Sequence, residues 1–187
     1  MDVEGLSESE INEIIEYGIW RGKIILVSAF AAVSLSGLMG IFIQGIIFWI
    51  SLCALRRYAG GYHADTQNRC FVISFVVLMV SLLFIKRADN IGMTGILIQS
   101  IMLMIIIFLA PVGNKNHILD EVEKQNYGKK TRITAIALYF AYILLYAVTK
   151  HKLAVPIEAA FAVVVISLIA GSVKNGREPA NRCETVQ

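Results

Sequence analysis

Charged residues are scarce in this chain. Of its 187 residues only 17% are Asp, Glu, Lys or Arg, whereas 57% are hydrophobic. A soluble domain carries about 25% charged residues, because its surface must be hydrated. The scarcity of charge therefore excludes a soluble domain and predicts an all-α, polytopic integral membrane protein.

Cysteine and histidine are also sparse. The three cysteines, Cys53, Cys70 and Cys183, cannot all pair, and they occupy an apolar run, the edge of a run and a polar tail. This distribution excludes a disulfide framework. His117 and His151 are isolated from each other, so the sequence predicts no metal site and no cofactor.

The chain lacks the features of a secretory signal and of a nucleic-acid-binding protein. Its first residues are acidic, without a basic segment that leads into an early apolar core, so we expect the N-terminus to be retained. The net charge is only +3, and the basic residues cluster in separate loops. That distribution is typical of a membrane protein, and no nucleic-acid partner is predicted.

Uncharged runs divide the chain into six predicted membrane spans. Between Lys23 and Arg56 lie 32 residues without charge, about 48 Å of helix, which exceeds the ~30 Å that one hydrocarbon core requires. A turn at 36–40 would divide this run into two short spans. The predicted spans are 24–36, 41–55, 71–85, 91–112, 133–149 and 153–173.

Three regions of different character are predicted along the chain. In residues 1–23, isoleucines recur at helical spacing opposite glutamates, which predicts an amphipathic helix at the membrane interface. Residues 24–173 form a single membrane-embedded domain that contacts lipid. Residues 174–187 form a polar tail.

The basic residues predict the orientation. With six spans and both termini in the cytoplasm, 13 of the 17 Lys and Arg residues lie inside, as the positive-inside rule requires. The segment 56–70 and the loop 113–132 then face the cytosol.

The segment 56–70 places a histidine and a cysteine at a membrane edge. On one continuous helix, His63 and Cys70 would be about 10.5 Å apart along the axis, too far for a hydrogen bond. The glycine pair at 60–61 allows the chain to fold back, and residues 65–68 are typical of a turn and helix N-cap. A helix is therefore predicted to begin close to Cys70.

A thiol nucleophile with its base is one interpretation of this pair. Cys70 in the first turn of a helix meets the positive end of the helix dipole, and Arg56, Arg57 and Arg69 add positive charge, which favours the thiolate. His63 could accept the thiol proton and pass it to a leaving amine.

The remaining parts of such a site stay open. Asp65 is the available orienter of the imidazole, but Gln67 or Asn68 could serve equally well. Oxyanion stabilisation could come from the N–H groups around Cys70 or from an arginine such as Arg56.

Other functions fit the spacing as well. Buried cysteines are often small hydrophobic residues, and arginines at span ends often bind lipid headgroups. The alternatives are a non-enzymatic small-peptide transporter or membrane adaptor, followed by a lipid-modifying enzyme.

The run Arg56-Arg57-Tyr58-Ala59-Gly60-Gly61-Tyr62-His63-Ala64, the cysteine that follows it and Ala110-Pro111-Val112 together resemble the accessory gene regulator protein B (AgrB) family. Members of that family are membrane cysteine endopeptidases of Gram-positive quorum-sensing systems. The resemblance implies a substrate, a small AgrD-like propeptide whose C-terminal segment is removed. It also implies help in closing a cyclic thiolactone autoinducer, and a homodimer.

The resemblance also implies roles for individual residues. Cys70 matches the nucleophile of the family and His63 its catalytic base, while Arg56 and Gly61 match positions required for activity. The stretch 113–117 departs from the Lys-Pro-rich versions in the family, so the resemblance does not extend to propeptide specificity. Four basic residues of the loop could steer an acidic propeptide tail, although the positive-inside rule explains them equally well: Lys124, Lys129, Lys130 and Arg132.

Overall fold

The computed structural model describes residues 8–61, 67–88, 93–112, 121–149 and 151–177, and within these ranges the chain is helical with no strand. The six helices are α1 (Glu8–Leu38), α2 (Phe42–Ala59), α3 (Gln67–Arg87), α4 (Met93–Leu109), α5 (Glu121–Thr149) and α6 (Val155–Arg177). The predicted all-α fold is confirmed.

The helices have the lengths and surfaces of a membrane protein. Segments of α3, α5 and α6 are long and apolar enough to cross a bilayer, and 22–38 in α1 and 94–109 in α4 are shorter apolar segments. Large apolar side chains such as Phe30, Phe108 and Val148 are at least 73% exposed. In water such a surface would aggregate, whereas in a bilayer it contacts lipid.

Helix α6 is the centre of the bundle. Of the three long apolar segments it is by far the most buried, and its contact with α2 is the most extensive between any two helices described. One apolar cluster joins α6 to α2, α4 and α5 through residues such as Leu55, Ile106 and Phe161. A second joins it to α1, α2 and α3 through residues such as Phe48 and Leu82.

The turn predicted between the first two spans is present. The amide of Ile41 donates to Ser36 O at 2.9 Å and that of Gly40 donates to Gly37 O at 3.1 Å, which is the Schellman pattern that ends a helix. Gly40 has a φ of 73°, a left-handed conformation that glycine adopts without a steric cost. The hairpin then packs closely, because Gly45 of α2 lies against the Ser36 side chain of α1.

Two helices begin earlier than the predicted spans. Helix α1 runs without a break through the junction at residue 23, so the described part of the predicted interfacial helix is continuous with the first span. Residues 121–132, predicted as part of a loop, form the first three turns of α5. Gly128, Thr131 and Ala135 are buried there at helical spacing, so packing continues the helix beyond the apolar run. The proposed division into 1–23, 24–173 and 174–187 stays a prediction.

We expect Gly45→Ala to destabilise the hairpin of α1 and α2, because the added Cβ would overlap the Ser36 side chain. Overpacking of this kind costs about 1–3 kcal/mol of unfolding free energy. SDS-induced unfolding from mixed micelles, followed by circular dichroism, measures the change. Gly22→Ala is the matched control, since a Cβ at Gly22 meets no atom within 4 Å and alanine favours the helix. Equal effects of the two substitutions would contradict the close approach at Gly45.

Candidate active site

The two ends of the predicted catalytic segment lie on different helices. Arg56 is in the last turn of α2, and Cys70 is the fourth residue of α3, which begins at Gln67. The predicted base His63 and the predicted orienter Asp65 lie between these helices, outside the described residues. Their meeting with Cys70 stays a prediction.

Cys70 occupies the first turn of a membrane-spanning helix. It is a free cysteine with a half-buried side chain, next to the exposed Arg69. The N–H groups of a first helical turn have no partners within the helix, and their dipoles favour a negative charge. The first turn of α3 therefore offers backbone hydrogen-bond donors beside Cys70.

Arg56 links this thiol to the centre of the bundle. Its guanidinium donates a hydrogen bond to the hydroxyl of Ser167 on α6. It also lies within electrostatic range of Cys70 and of Cys53, which is one turn earlier on α2. A fixed positive charge is thus held near two thiols, of which Cys70 is at the start of a helix and Cys53 is in the interior of one.

The glycine pair after α2 is enclosed on two sides. Gly60 and Gly61 have φ angles of 70° and 117°, where side chains other than that of glycine are strained. A Cβ on Gly60 would overlap the carbonyl oxygen of Val112, and a Cβ on Gly61 would lie 2.6 Å from the Ser167 hydroxyl. The family resemblance predicted that Gly61 is important. In the structure Gly61 packs directly against α6, where there is no space for a side chain.

Residues 110–112 hold the glycine pair from the other side. The amide of Val112 donates to Ala59 O at 3.1 Å, and Gly60 forms a parallel bridge with Val112. The Ala110-Pro111 peptide bond is cis, and Pro111 in turn faces Gly128 of α5. In the sequence, the Ala110-Pro111-Val112 motif served only to support the family resemblance. In the structure, its pairing with Ala59 and Gly60 holds the backbone that leads into the predicted catalytic segment.

The basic residues of α5 border the same end of the bundle. Lys124, Lys129, Lys130 and Arg132 are exposed. Lys130 Nζ lies 5.7 Å from the centre of the Tyr58 ring, and Arg57 Cζ lies 5.6 Å from it. The Tyr58 ring also lies 6.3 Å from that of Tyr127. Arg57, Tyr58, Tyr127 and Lys130 are here called the cation–aromatic patch, which brings one of the four predicted basic residues against the last turn of α2.

Sequence reasoning missed Ser167 and the cation–aromatic patch. Ser167 is a serine in an otherwise apolar run, a pattern that gives no signal of a partner 111 residues away. For Tyr58 and Lys130 a signal existed, because aromatic and cationic side chains often stack, but the sequence did not bring the two helices together. Within the described ranges there is no group of three or more His, Cys, Asp or Glu side chains that could hold a metal ion.

The fold and the site define a class: a helical membrane protein with a cysteine at the start of a span, beside an arginine anchored in the bundle. The model of the accessory gene regulator B family matches residues 2–171. The chain belongs to the AgrB family. That family takes part in the processing of quorum-sensing peptides in accessory gene regulator systems.

Three relatives from Clostridium perfringens support this membership. AgrB-like protein 2 of strain 13 is 26% identical over 175 residues, covering 88% of this chain and 78% of that protein. The AgrB-like protein of strain SM101 is 26% identical over 171 residues, with the same coverage. AgrB-like protein 1 of strain 13 is 22% identical over 132 residues, covering 69% of this chain and 67% of that protein. No solved structure matches the chain.

We expect Ser167→Ala to lower the free energy of unfolding by about 1–3 kcal/mol, because a guanidinium withdrawn from water loses an acceptor. The same SDS titration measures it. Ser172→Ala is the matched control, since Ser172 is exposed on the same helix. In an Arg56→Met background the cost of Ser167→Ala should disappear. An equal cost with and without Arg56 would show that the two side chains do not act together.

Proposed function

We propose that this protein is a membrane-embedded cysteine endopeptidase that cleaves the C-terminal segment from an AgrD-like propeptide. The single observation that carries the proposal is the position of Cys70 in the first turn of α3, within electrostatic range of an arginine anchored by α6. Family membership supports the substrate class, since the AgrB family acts on AgrD propeptides in general.

The first chemical step transfers an acyl group to the enzyme. The Cys70 thiolate attacks a propeptide carbonyl, the peptide C–N bond breaks, and His63 protonates the departing amine. The N-terminal part of the propeptide remains as a thioester on Cys70. Negative charge that develops on the carbonyl oxygen is stabilised by N–H groups at the start of α3 or by Arg56.

The second step explains the product. A cysteine within the propeptide attacks the thioester, so that one thioester replaces another at little cost in free energy and a thiolactone ring is released. Water would compete by hydrolysing the thioester, so the site must be largely dry. The backbone pairing of Ala59 with Val112 and the packing of Gly61 on α6 leave little space for water between the helices next to the predicted catalytic segment.

Substrate binding is assigned to the basic surface next to the site. The cation–aromatic patch and the exposed Lys124, Lys129 and Arg132 provide positive charge that attracts an acidic propeptide segment. In a cell membrane of the Gram-positive type, with both termini and the active site in the cytoplasm, this surface would meet newly made propeptide. We also propose that the protein contacts membrane lipids and forms a homodimer.

We expect Cys70→Ser to abolish cleavage and His63→Ala to slow it by about 10²–10⁴-fold, because the first removes the nucleophile and the second the proton donor. Mass spectrometry of purified protein in nanodiscs with a candidate propeptide would measure both the released fragment and a thioester adduct on Cys70. Cys53→Ala is the control, a second free thiol near Arg56 that should leave cleavage intact.

The same assay separates the proposal from its main alternative. If the propeptide binds but stays intact with the wild type, Cys70→Ser and His63→Ala alike, and no adduct forms on Cys70, the result would contradict the peptidase and favour a small-peptide transporter or membrane adaptor.

We expect Lys130→Gln to raise KM for the propeptide several-fold while kcat changes little, because Lys130 lies outside the reacting groups but next to Tyr58. The increase should shrink at high salt, which screens the attraction. Steady-state kinetics at two ionic strengths measures it. Lys124→Gln, at an exposed position earlier on the same helix, should have the smaller effect. A fall in kcat alone would contradict a role in binding.

A further inference from the structure

A group of polar side chains is buried at the end of the bundle that lies away from Cys70. Gln99 of α4, Tyr142 of α5, His151 of the connection between α5 and α6, and Glu158 in the first turn of α6 are each at most 4% exposed. Glu158 and Ser167 are nine residues apart on α6, which corresponds to about 13 Å along the helix. The group is therefore separate from the candidate active site.

Three of these side chains converge on one point of α4. From the position that a Cβ on Gly95 would occupy, Tyr142 Oη lies at 3.3 Å, Glu158 Oε2 at 3.8 Å and His151 Cε1 at 3.8 Å. Gln99 lies one turn further along the same buried face of α4. The lack of a side chain at Gly95 is what lets the other helices bring their polar atoms to this face.

Three members of the group, Gln99, Tyr142 and Glu158, have polar atoms that are not satisfied by the part of the protein that the structure describes. There, Gln99 Nε2 and Oε1, Tyr142 Oη and Glu158 Oε2 are buried without a hydrogen-bond partner. The neighbouring Tyr139, by contrast, shares a hydrogen bond of 2.8 Å with Ser100. Each buried group without a partner costs about 1–3 kcal/mol, and no lipid can supply the missing bonds.

The charged and titratable groups around Glu158 determine whether its carboxyl group holds a proton. Near Glu158 lie Tyr142 of α5 and His151 of the connection, and the rings of Tyr139 and Tyr146 contact that of Tyr142. Helix α4 and the part of α2 before Cys53 contain no titratable residue. The cations at the adjoining helix ends, Lys86 and Arg87 of α3 and Lys152 of the connection, are exposed. An anionic carboxylate would thus face neutral tyrosine and amide groups and one imidazole. Retaining a proton removes the cost of a buried charge and gives the group a hydrogen-bond donor.

We propose that Glu158 is a proton-binding carboxyl group in a buried polar site, with Gln99, Tyr142 and His151 as the polar side chains around it. His151 precedes α6 and adjoins the exposed Lys152 in sequence, so it lies where the chain turns from α5 to α6. The proton comes from water at that face of the membrane and returns to it, and no bond to carbon is made or broken. The site does not depend on the proposed peptidase chemistry.

Infrared difference spectroscopy of the full chain in nanodiscs tests this directly. The carbonyl stretch of a protonated carboxylic acid is separate from the amide bands and shifts in deuterated water. We expect a buried protonated carboxyl band in the wild type between about pH 5 and pH 8, and its loss in Glu158→Gln. Identical spectra of the wild type and Glu158→Gln over that range would overturn the proposal.

A matched pair of tyrosine variants tests the neighbours. Tyr142→Phe should shift the frequency of the Glu158 carboxyl band, because the hydroxyl beside the carboxyl is removed. Tyr139→Phe should leave the band in place, since the Tyr139 hydroxyl is shared with Ser100. A band shift of equal size in both variants would contradict the proposed position of Tyr142 beside Glu158. Circular dichroism of each variant is the control that the bundle is folded.

Discussion

An arginine side chain that is drawn out of water must find acceptors inside the protein, and at the end of α2 the acceptor is a hydroxyl on the central helix. The contact between Arg56 and Ser167 fixes the distance between α2 and α6 where the chain leaves the membrane. Gly61 fits against α6 only because it lacks a side chain, and the first turn of α3 places Cys70 within electrostatic range of the same guanidinium. The arrangement of the candidate site follows from this one polar contact in an apolar bundle.

Central α6 carries polar chemistry at both of its ends. Ser167 contacts the segment that leads to the candidate nucleophile, and Glu158 lies in the buried group beside Gly95. Between them, Phe161, Val164 and Val165 are in the apolar core. The two polar regions are therefore joined by one closely packed helix without sharing a residue.

The features that could be read from the sequence are those set by local chemistry. The glycines near residue 40 act on their own backbone, and residues typical of a turn precede Cys70 in the sequence, so the hairpin turn and the beginning of α3 were foreseeable. Ser167 could not be found this way, because its role depends on a partner 111 residues away. The early start of α5 was missed for a related reason: packing of Gly128 and Thr131, rather than hydropathy, extends the helix.

The glycine pair after α2 also restricts how this chain can change over generations. Any missense change in the codon for Gly60 or Gly61 adds at least a Cβ atom, and both positions are already filled by neighbouring atoms of Val112 and Ser167. At Gly61 a compensating change at Ser167 would disturb Arg56, and at Gly60 the obstacle is backbone, which no substitution removes. We therefore expect only synonymous changes to be tolerated in these two codons. The lipid-facing residues nearby can be exchanged for other apolar residues.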